Sequence, residues 1–281
     1  SEADRRVLIR RVTLDLTGIL PTPEEVEAFL SDSSDKSDTS DGAYIRLVDR
    51  LLASKAYGER WARHWLDVVG YADSNGYTEA DSLRPHAWRY RDYVIRSMND
   101  DKPWDQFIQE QIAGDELAGA THGDYQQAVL DPKRTDQLIA TAFLRMAPDG
   151  TGDTVDDPKL AKNNVIAEQM KILGSSLMGL TVSCAQCHDH RYDPITQADY
   201  YRLRAVFDPA YHWENWRAPN SRLYSLYSPE ERAKAAEIEA KAKAIEVEAR
   251  AMSKKFLDEI FEVEIKKVPQ AEQAAFRVAR D

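Results

Sequence analysis

The chain has no run of eighteen apolar residues, so no segment reads as a helix that crosses a bilayer. It is short of positive charge: 37 Lys and Arg stand against 48 Asp and Glu, a formal net charge of −11. That balance argues against nucleic acid or an anionic membrane surface as a partner. Alternating runs of Val, Ile or Thr are missing, and no Asn-Gly turn lies between such runs, so no strand is expected. There is no GxSxG elbow for a Ser-His-Asp hydrolase and no glycine-rich phosphate loop. No repeat recurs at a fixed period. Cysteine is scarcest of all, with two in 281 residues, too few for a disulfide-stapled scaffold.

What is present is helical periodicity. Val7, Leu8, Val12 and Leu16 lie among arginines over residues 3–16. Thr22-Pro23-Glu24-Glu25 reads as a capping box with proline at the first helical position. Ser31 to Asp41 is a polar loop, and Ile45, Val48, Leu51 and Leu52 mark the helix after it. Over residues 57–72, Trp61, His64, Trp65 and Val68 fall at i, i+3, i+4 and i+7. This spacing predicts one shared face with His64 turned toward the core. Helices are also expected after Pro85, after Pro103, over Arg134–Met146, over Pro158–Leu180 and after the cap-like Thr196-Gln197-Ala198-Asp199. From Ser228 the composition turns to Ala, Glu and Lys. Ile238, Ala242, Ile245, Ala249, Met252 and Phe256 then step by four and three, a coiled-coil seam on one long helix that Pro269 ends. Such a helix is either an exposed charged rod or one that packs on a partner segment or a second copy.

Both cysteines belong to one pentapeptide, Cys184-Ala185-Gln186-Cys187-His188, a CxxCH motif of the kind that attaches c-type haem. Two thiols at that spacing add across the two vinyl groups of one porphyrin, and the adjacent imidazole of His188 reaches the iron. Competing readings are a redox dithiol, a disulfide, or a zinc site built from Cys184, Cys187, His188 and His190. The dithiol lacks a βαβ context. The zinc set crowds four ligands into seven residues, tighter than paired knuckles allow.

If His188 is the proximal ligand, candidates for the opposite face are His64, His86, His122, His212, Met146, Met170 and Met178. His190 is too close to His188 to cross the porphyrin, and a hydrogen bond to backbone or to a haem propionate suits it better. His64, flanked by tryptophans, is the leading distal candidate. Arg60 lies one helical turn before it, the spacing of a distal arginine and histidine in haem peroxidases, so an acid/base His64 with an electrostatic Arg60 is the catalytic alternative. The run Asp149-Gly150-Thr151-Gly152-Asp153-Thr154-Val155-Asp156-Asp157 reads as a solvated acidic loop, with calcium as the sharper option.

Several segments together carry a family resemblance. They are Leu14-Asp15-Leu16-Thr17-Gly18-Ile19-Leu20-Pro21-Thr22-Pro23-Glu24-Glu25-Val26, Tyr57-Gly58-Glu59-Arg60-Trp61-Ala62-Arg63-His64-Trp65-Leu66-Asp67 and Tyr71-Ala72-Asp73-Ser74-Asn75-Gly76-Tyr77. Ala87-Trp88-Arg89-Tyr90-Arg91-Asp92, Ala113-Gly114-Asp115 and Leu180-Thr181-Val182-Ser183 follow, then His188-Asp189-His190-Arg191-Tyr192-Asp193-Pro194-Ile195. Over roughly residues 3–208 the chain resembles the planctomycete-type cytochrome c domain, long known as a domain of unknown function in large exported proteins of planctomycetes and related bacteria. The resemblance implies haem on Cys184 and Cys187, His188 as axial ligand, and a functional place for His64.

The expected fold is all-α: an irregular multi-helix domain over residues 1–227 around one covalent haem c, then a long helical extension over 228–281. The expected function is electron transfer by a monohaem cytochrome in an extracytoplasmic, periplasmic setting, with a redox partner protein or neighbouring cytochrome domain. A haem enzyme using His64 and Arg60 is one alternative. A scaffold that docks partners, or a second copy, through its last helix is the other. No export signal is visible, so it is expected to have been removed or to lie outside this sequence.

Overall fold

The computed structural model describes residues 3–32, 41–76, 81–119, 130–152, 156–223 and 225–278. Helices dominate: α1 (Arg5–Thr17), α2 (Pro23–Ser31), α3 (Asp41–Leu52), α4 (Lys55–Val68), α5 (Ala87–Asn99), α6 (Trp104–Leu117), α7 (Pro132–Ala140), α8 (Pro158–Leu173), α9 (Gln197–Tyr211), α10 (Pro229–Glu264) and α11 (Gln270–Val278). Among the described residues no strand forms, and one isolated antiparallel bridge joins Ser74 to Leu83. Most of the expected 31–41 loop lies outside the described residues.

The chain divides into two compact units, the first ending at residue 224 and the second running over 225–281. In the first, α1, α2 and α3 close over a small core of Ile9, Phe29, Ala43, Leu47 and Leu51. A larger core takes Trp65 from α4, Tyr90 and Tyr93 from α5, Phe107 from α6, Phe143, Met170 from α8 and Tyr200 from α9. Its aromatic rings interlock, with Trp65 edge-on to Phe107 at 5.1 Å between centroids and Tyr93 stacked on Phe107 at 5.9 Å. Trp65 Nε1 donates to the Tyr90 hydroxyl, which donates to Gln111 Oε1, so the indole and the phenol are satisfied in series.

Small residues set the closest helix crossings. A Cβ on Gly58 of α4 would lie 2.5 Å from the Ile95 carbonyl oxygen of α5, and one on Gly174 would lie 2.6 Å from Val182 Cγ2. The Gly58 contact rotates α4 relative to the sequence expectation. The buried stripe is Gly58, Ala62, Trp65 and Val69, whereas Trp61, His64 and Val68 are exposed. His64 therefore does not point into the core. A face chosen by hydrophobic weight misses a crossing tight enough to admit only Gly and Ala.

Two runs that read as single helices change pitch. After α7 the chain tightens into a 3₁₀ turn over Thr141–Arg145, and after α8 it widens into a π turn over Gly174–Met178. Periodicity cannot distinguish i→i+3 or i→i+5 bonding from i→i+4.

In the second unit, Ser228 caps α10 through a full capping box with Glu231, and the helix runs 36 residues without a buried one. Its seam, Ile238, Ile245, Met252 and Phe256, is exposed. Beyond Pro269, α11 folds back so that Arg277 forks onto Glu262.

Candidate functional site

The CxxCH motif sits on a 3₁₀ turn over Val182–Gln186 that is fixed from beneath. Val182 and Ala185 are buried in the main core and alternate with Cys184 and Cys187, which face solvent as free thiols. Helix α9 clamps the turn from the side. Gln197 Nε2 and the Tyr201 hydroxyl both donate to the Gln186 carbonyl, at 3.1 and 3.2 Å, and the Gln197 N–H donates to Asp189 Oδ1 at 2.8 Å. The start of α9 is secured in turn by the Thr196–Asp199 capping box. The sequence thus supplies a rigid platform with both sulfurs outward, six residues after the π turn.

His188 lies next to Cys187 and is exposed. Its Nδ1 is 2.8 Å from the Asp189 carbonyl oxygen. A carbonyl only accepts, so Nδ1 carries the proton and the Nε2 lone pair is left for a metal. A backbone acceptor on Nδ1–H is the usual way a protein fixes the tautomer of a ligating histidine.

His190 is placed differently. Its side chain is 6 % exposed. Its Nδ1 accepts the N–H groups of Asp193 at 2.9 Å and Tyr192 at 3.3 Å, which puts the proton on Nε2, 3.2 Å from Thr181 Oγ1. Both ring nitrogens are committed, so His190 folds the Asp189–Ile195 loop back against the turn. The backbone hydrogen bonds expected of it are present, and the Cys184/Cys187/His188/His190 zinc set loses its fourth ligand. No cluster of three or more metal-ligating side chains occurs among the described residues.

Other candidates for the opposite iron position separate by burial. Met146 and Met170 are core residues. Both nitrogens of His212 face Asn215, at 3.3 and 3.4 Å. His122 lies outside the described residues. His64, His86 and Met178 are exposed. His64 packs against Trp61 with 5.4 Å between ring centroids, and no hydrogen bond joins it to the motif. Arg60 runs toward the end of α1, where its Cδ would be 3.0 Å from a Cβ on Gly18, and its Nε is buried without a partner. The structure shows no contact that gathers Arg60, His64 and His188 into one site.

The acidic loop is not a solvated one at its start. Asp149 is 3 % exposed and pairs with Arg222, while its other oxygen accepts from the Thr151 N–H and hydroxyl. Arg145 and Arg222 both reach the Trp216 ring, and burial together with the charge of Arg222 pushes the Arg145 guanidinium down to about 10. Surrounded by guanidinium groups, the carboxylate of Asp149 is spent on a buried ion pair, which argues against calcium there. Asp153 lies outside the described residues. Sequence reading missed this partner because Arg222 is 73 positions away.

One further feature went unread. Tyr200, on the α9 face toward the motif, is 1 % exposed, and its hydroxyl lies beside the Arg204 guanidinium. Burial raises its pKa, and Arg204 and Cys187 are both close enough to act on it.

The profile of one protein family, described as PSCyt2, protein of unknown function (DUF1549), matches residues 1–212. No curated protein and no solved structure matches the chain.

Proposed function

The chain belongs to the PSCyt2 family, and from that premise we propose that it is a monohaem c-type cytochrome domain working in electron transfer. Cys184 and Cys187 would hold the porphyrin by thioether links, and His188 would ligate the iron through Nε2. The observation that carries this reading is the tautomer of His188: its Nδ1–H is spent on the Asp189 carbonyl, beside two free, outward thiols on a turn locked to the core. The donor set suits haem better than zinc, because His190 is consumed by the loop. When bound, the iron supplies one-electron redox chemistry. The protein's own part is to orient the imidazole, hold the turn rigid through Gln197 and Tyr201, and limit water from the core side. A c-type attachment also implies maturation outside the cytoplasm and a redox partner protein or neighbouring cytochrome domain. The catalytic alternative draws no support from Arg60, which packs against α1.

Expression with c-type maturation machinery tests the reading. The expected product carries one haem that survives denaturation and is lost in Cys184→Ser and Cys187→Ser. A colourless product with both thiols free, or one holding zinc, overturns it. A six-coordinate low-spin spectrum indifferent to peroxide and cyanide would fit electron transfer, whereas a high-spin ferric spectrum that shifts with peroxide would favour an enzyme.

A further inference from the structure

Helix α10 carries an apolar stripe that the chain's own return helix leaves bare. At about 100° per residue, Ile238, Ile245, Met252, Phe256, Ile260 and Val263 fall within about 40° of one line along the helix. Each of the six is 57–66 % exposed. Ala242 and Ala249 stand between them on the same line, small enough to let a second helix come close. Helix α11 folds back over another side. Its Arg277 lies 5.8 Å from the centre of the Phe261 ring and forks onto Glu262, both a third of a turn or more from the stripe. At roughly 100 Å² for each large side chain, the stripe offers about 600 Å² of apolar surface, the size of patch that marks an interaction site. Two such stripes face to face would bury about 1,200 Å², the lower bound of a stable interface.

The charged edges of the stripe select its occupant. Lys234 and Lys241 line one edge, Glu239 and Glu246 the other. In a parallel, in-register pair of helices, a residue on one edge meets the residue five positions on in the second copy. Lys234 then meets Glu239 and Lys241 meets Glu246, and two-fold symmetry makes each contact twice. With one helix reversed, each edge meets its own kind, which sets Glu239 beside Glu246 when alanine faces isoleucine. In the single chain Lys241 and Glu246 turn to Glu237 and Arg250 of their own helix, at 2.6 Å each. Those pairs are exposed and of little worth, so re-aiming them costs little. We propose that α10 pairs with α10 of a second copy as a parallel, in-register two-stranded coil. The pairing links two copies of the first unit through their second units. It goes beyond the haem reading and does not depend on it.

Sedimentation equilibrium of the full chain over roughly 1–200 μM, a range that brackets micromolar affinity, tests the proposal. Wild type is expected to pass from one chain to two as concentration rises. Ile245→Glu puts two carboxylates into one buried layer and should weaken pairing at least about a hundredfold. Lys234→Glu with Lys241→Glu makes both edges acidic and should weaken it about tenfold or more. Adding Glu239→Lys and Glu246→Lys to that double variant exchanges the two edges. A parallel pair then regains its opposite charges and its affinity, whereas an antiparallel pair stays weak. Circular dichroism checks that each variant keeps its helix. A wild type that stays monomeric over the whole range with its helix intact overturns the proposal and assigns the stripe to a different protein. Association that survives Ile245→Glu overturns it too, by placing the contact elsewhere. So does association that the four-residue exchange fails to restore, which would mean helices running in opposite directions.

Discussion

Replacing Gly58 by alanine puts the α4–α5 crossing to the test. In an open helix the change would stabilise by up to about 1 kcal/mol, because glycine is the poorer helix former. Here the new methyl would sit 2.5 Å from the Ile95 carbonyl oxygen and 2.5 Å from Asn99 Cγ. A comfortable C···O separation is about 3.3 Å, so the helices must part by roughly 0.8 Å. Asn99 cannot simply swing away. Its Oδ1 accepts the Gly58 N–H at 2.8 Å and its Nδ2 donates to the Lys55 carbonyl, which caps the first turn of α4. Overpacking costs about 1–3 kcal/mol and a weakened amide bond about 1 kcal/mol. Set against the helix gain, the net loss is about 1–3 kcal/mol, or roughly 2–10 °C in melting temperature for a unit of this size. All six tryptophans precede residue 225, so their fluorescence reports the first unit without interference from α10. Gly152, where a Cβ would make ordinary contact with Pro219 Cδ at 3.4 Å, is the control, expected within about 0.5 kcal/mol of wild type on alanine substitution. A Gly58→Ala protein that melts at or above wild type would refute the crossing as described.

Two further perturbations address buried charge. Glu110 accepts from Lys102 and the Tyr93 hydroxyl; burial raises its pKa, but those bonds outweigh it and hold the carboxyl below the usual glutamate range. A depressed folded pKa gives stability that is present above the unfolded value and lost as pH falls through the folded one, so acid melting of the first unit should be steeper in wild type than in Glu110→Gln. Equal slopes below about pH 4.5 would remove Glu110 from that account. Asp149→Ala strands Arg222, whose side chain is only 17 % exposed, and should cost about 3 kcal/mol in urea unfolding followed by tryptophan fluorescence; a change under about 0.5 kcal/mol would mean the pair adds nothing.

Local chemistry carried much of the fold into view. The caps at Thr22, Thr196 and Ser228 all form with their glutamate or aspartate partners, and each is written in four consecutive residues. The tautomer of His188 depends on a neighbour one residue away, and the folding role of His190 on residues within nine positions. What stayed hidden depends on distance in sequence or on absence of bulk. The inward face of α4 is chosen by Gly58 meeting a backbone 37 positions on, with Ala62 buried one turn later, not by Trp61 or Val68. Asp149 looked solvated among other acids because its counter-ion comes from far down the chain.

The wide turn at Gly174–Met178 has a consequence for insertions and deletions. There the Gly179 N–H reaches back five residues to the Gly174 carbonyl, where an ordinary turn would reach four. The wide turn takes one residue more per revolution than an α-helix, in which each residue advances about 100° around the axis. A one-residue deletion there would absorb the extra residue and keep the register, but a change that forced ordinary pitch on the same residues would swing all that follows by close to a third of a circle. The reactive pentapeptide would then turn away from the helices it now rests on, although not one of its own letters had changed.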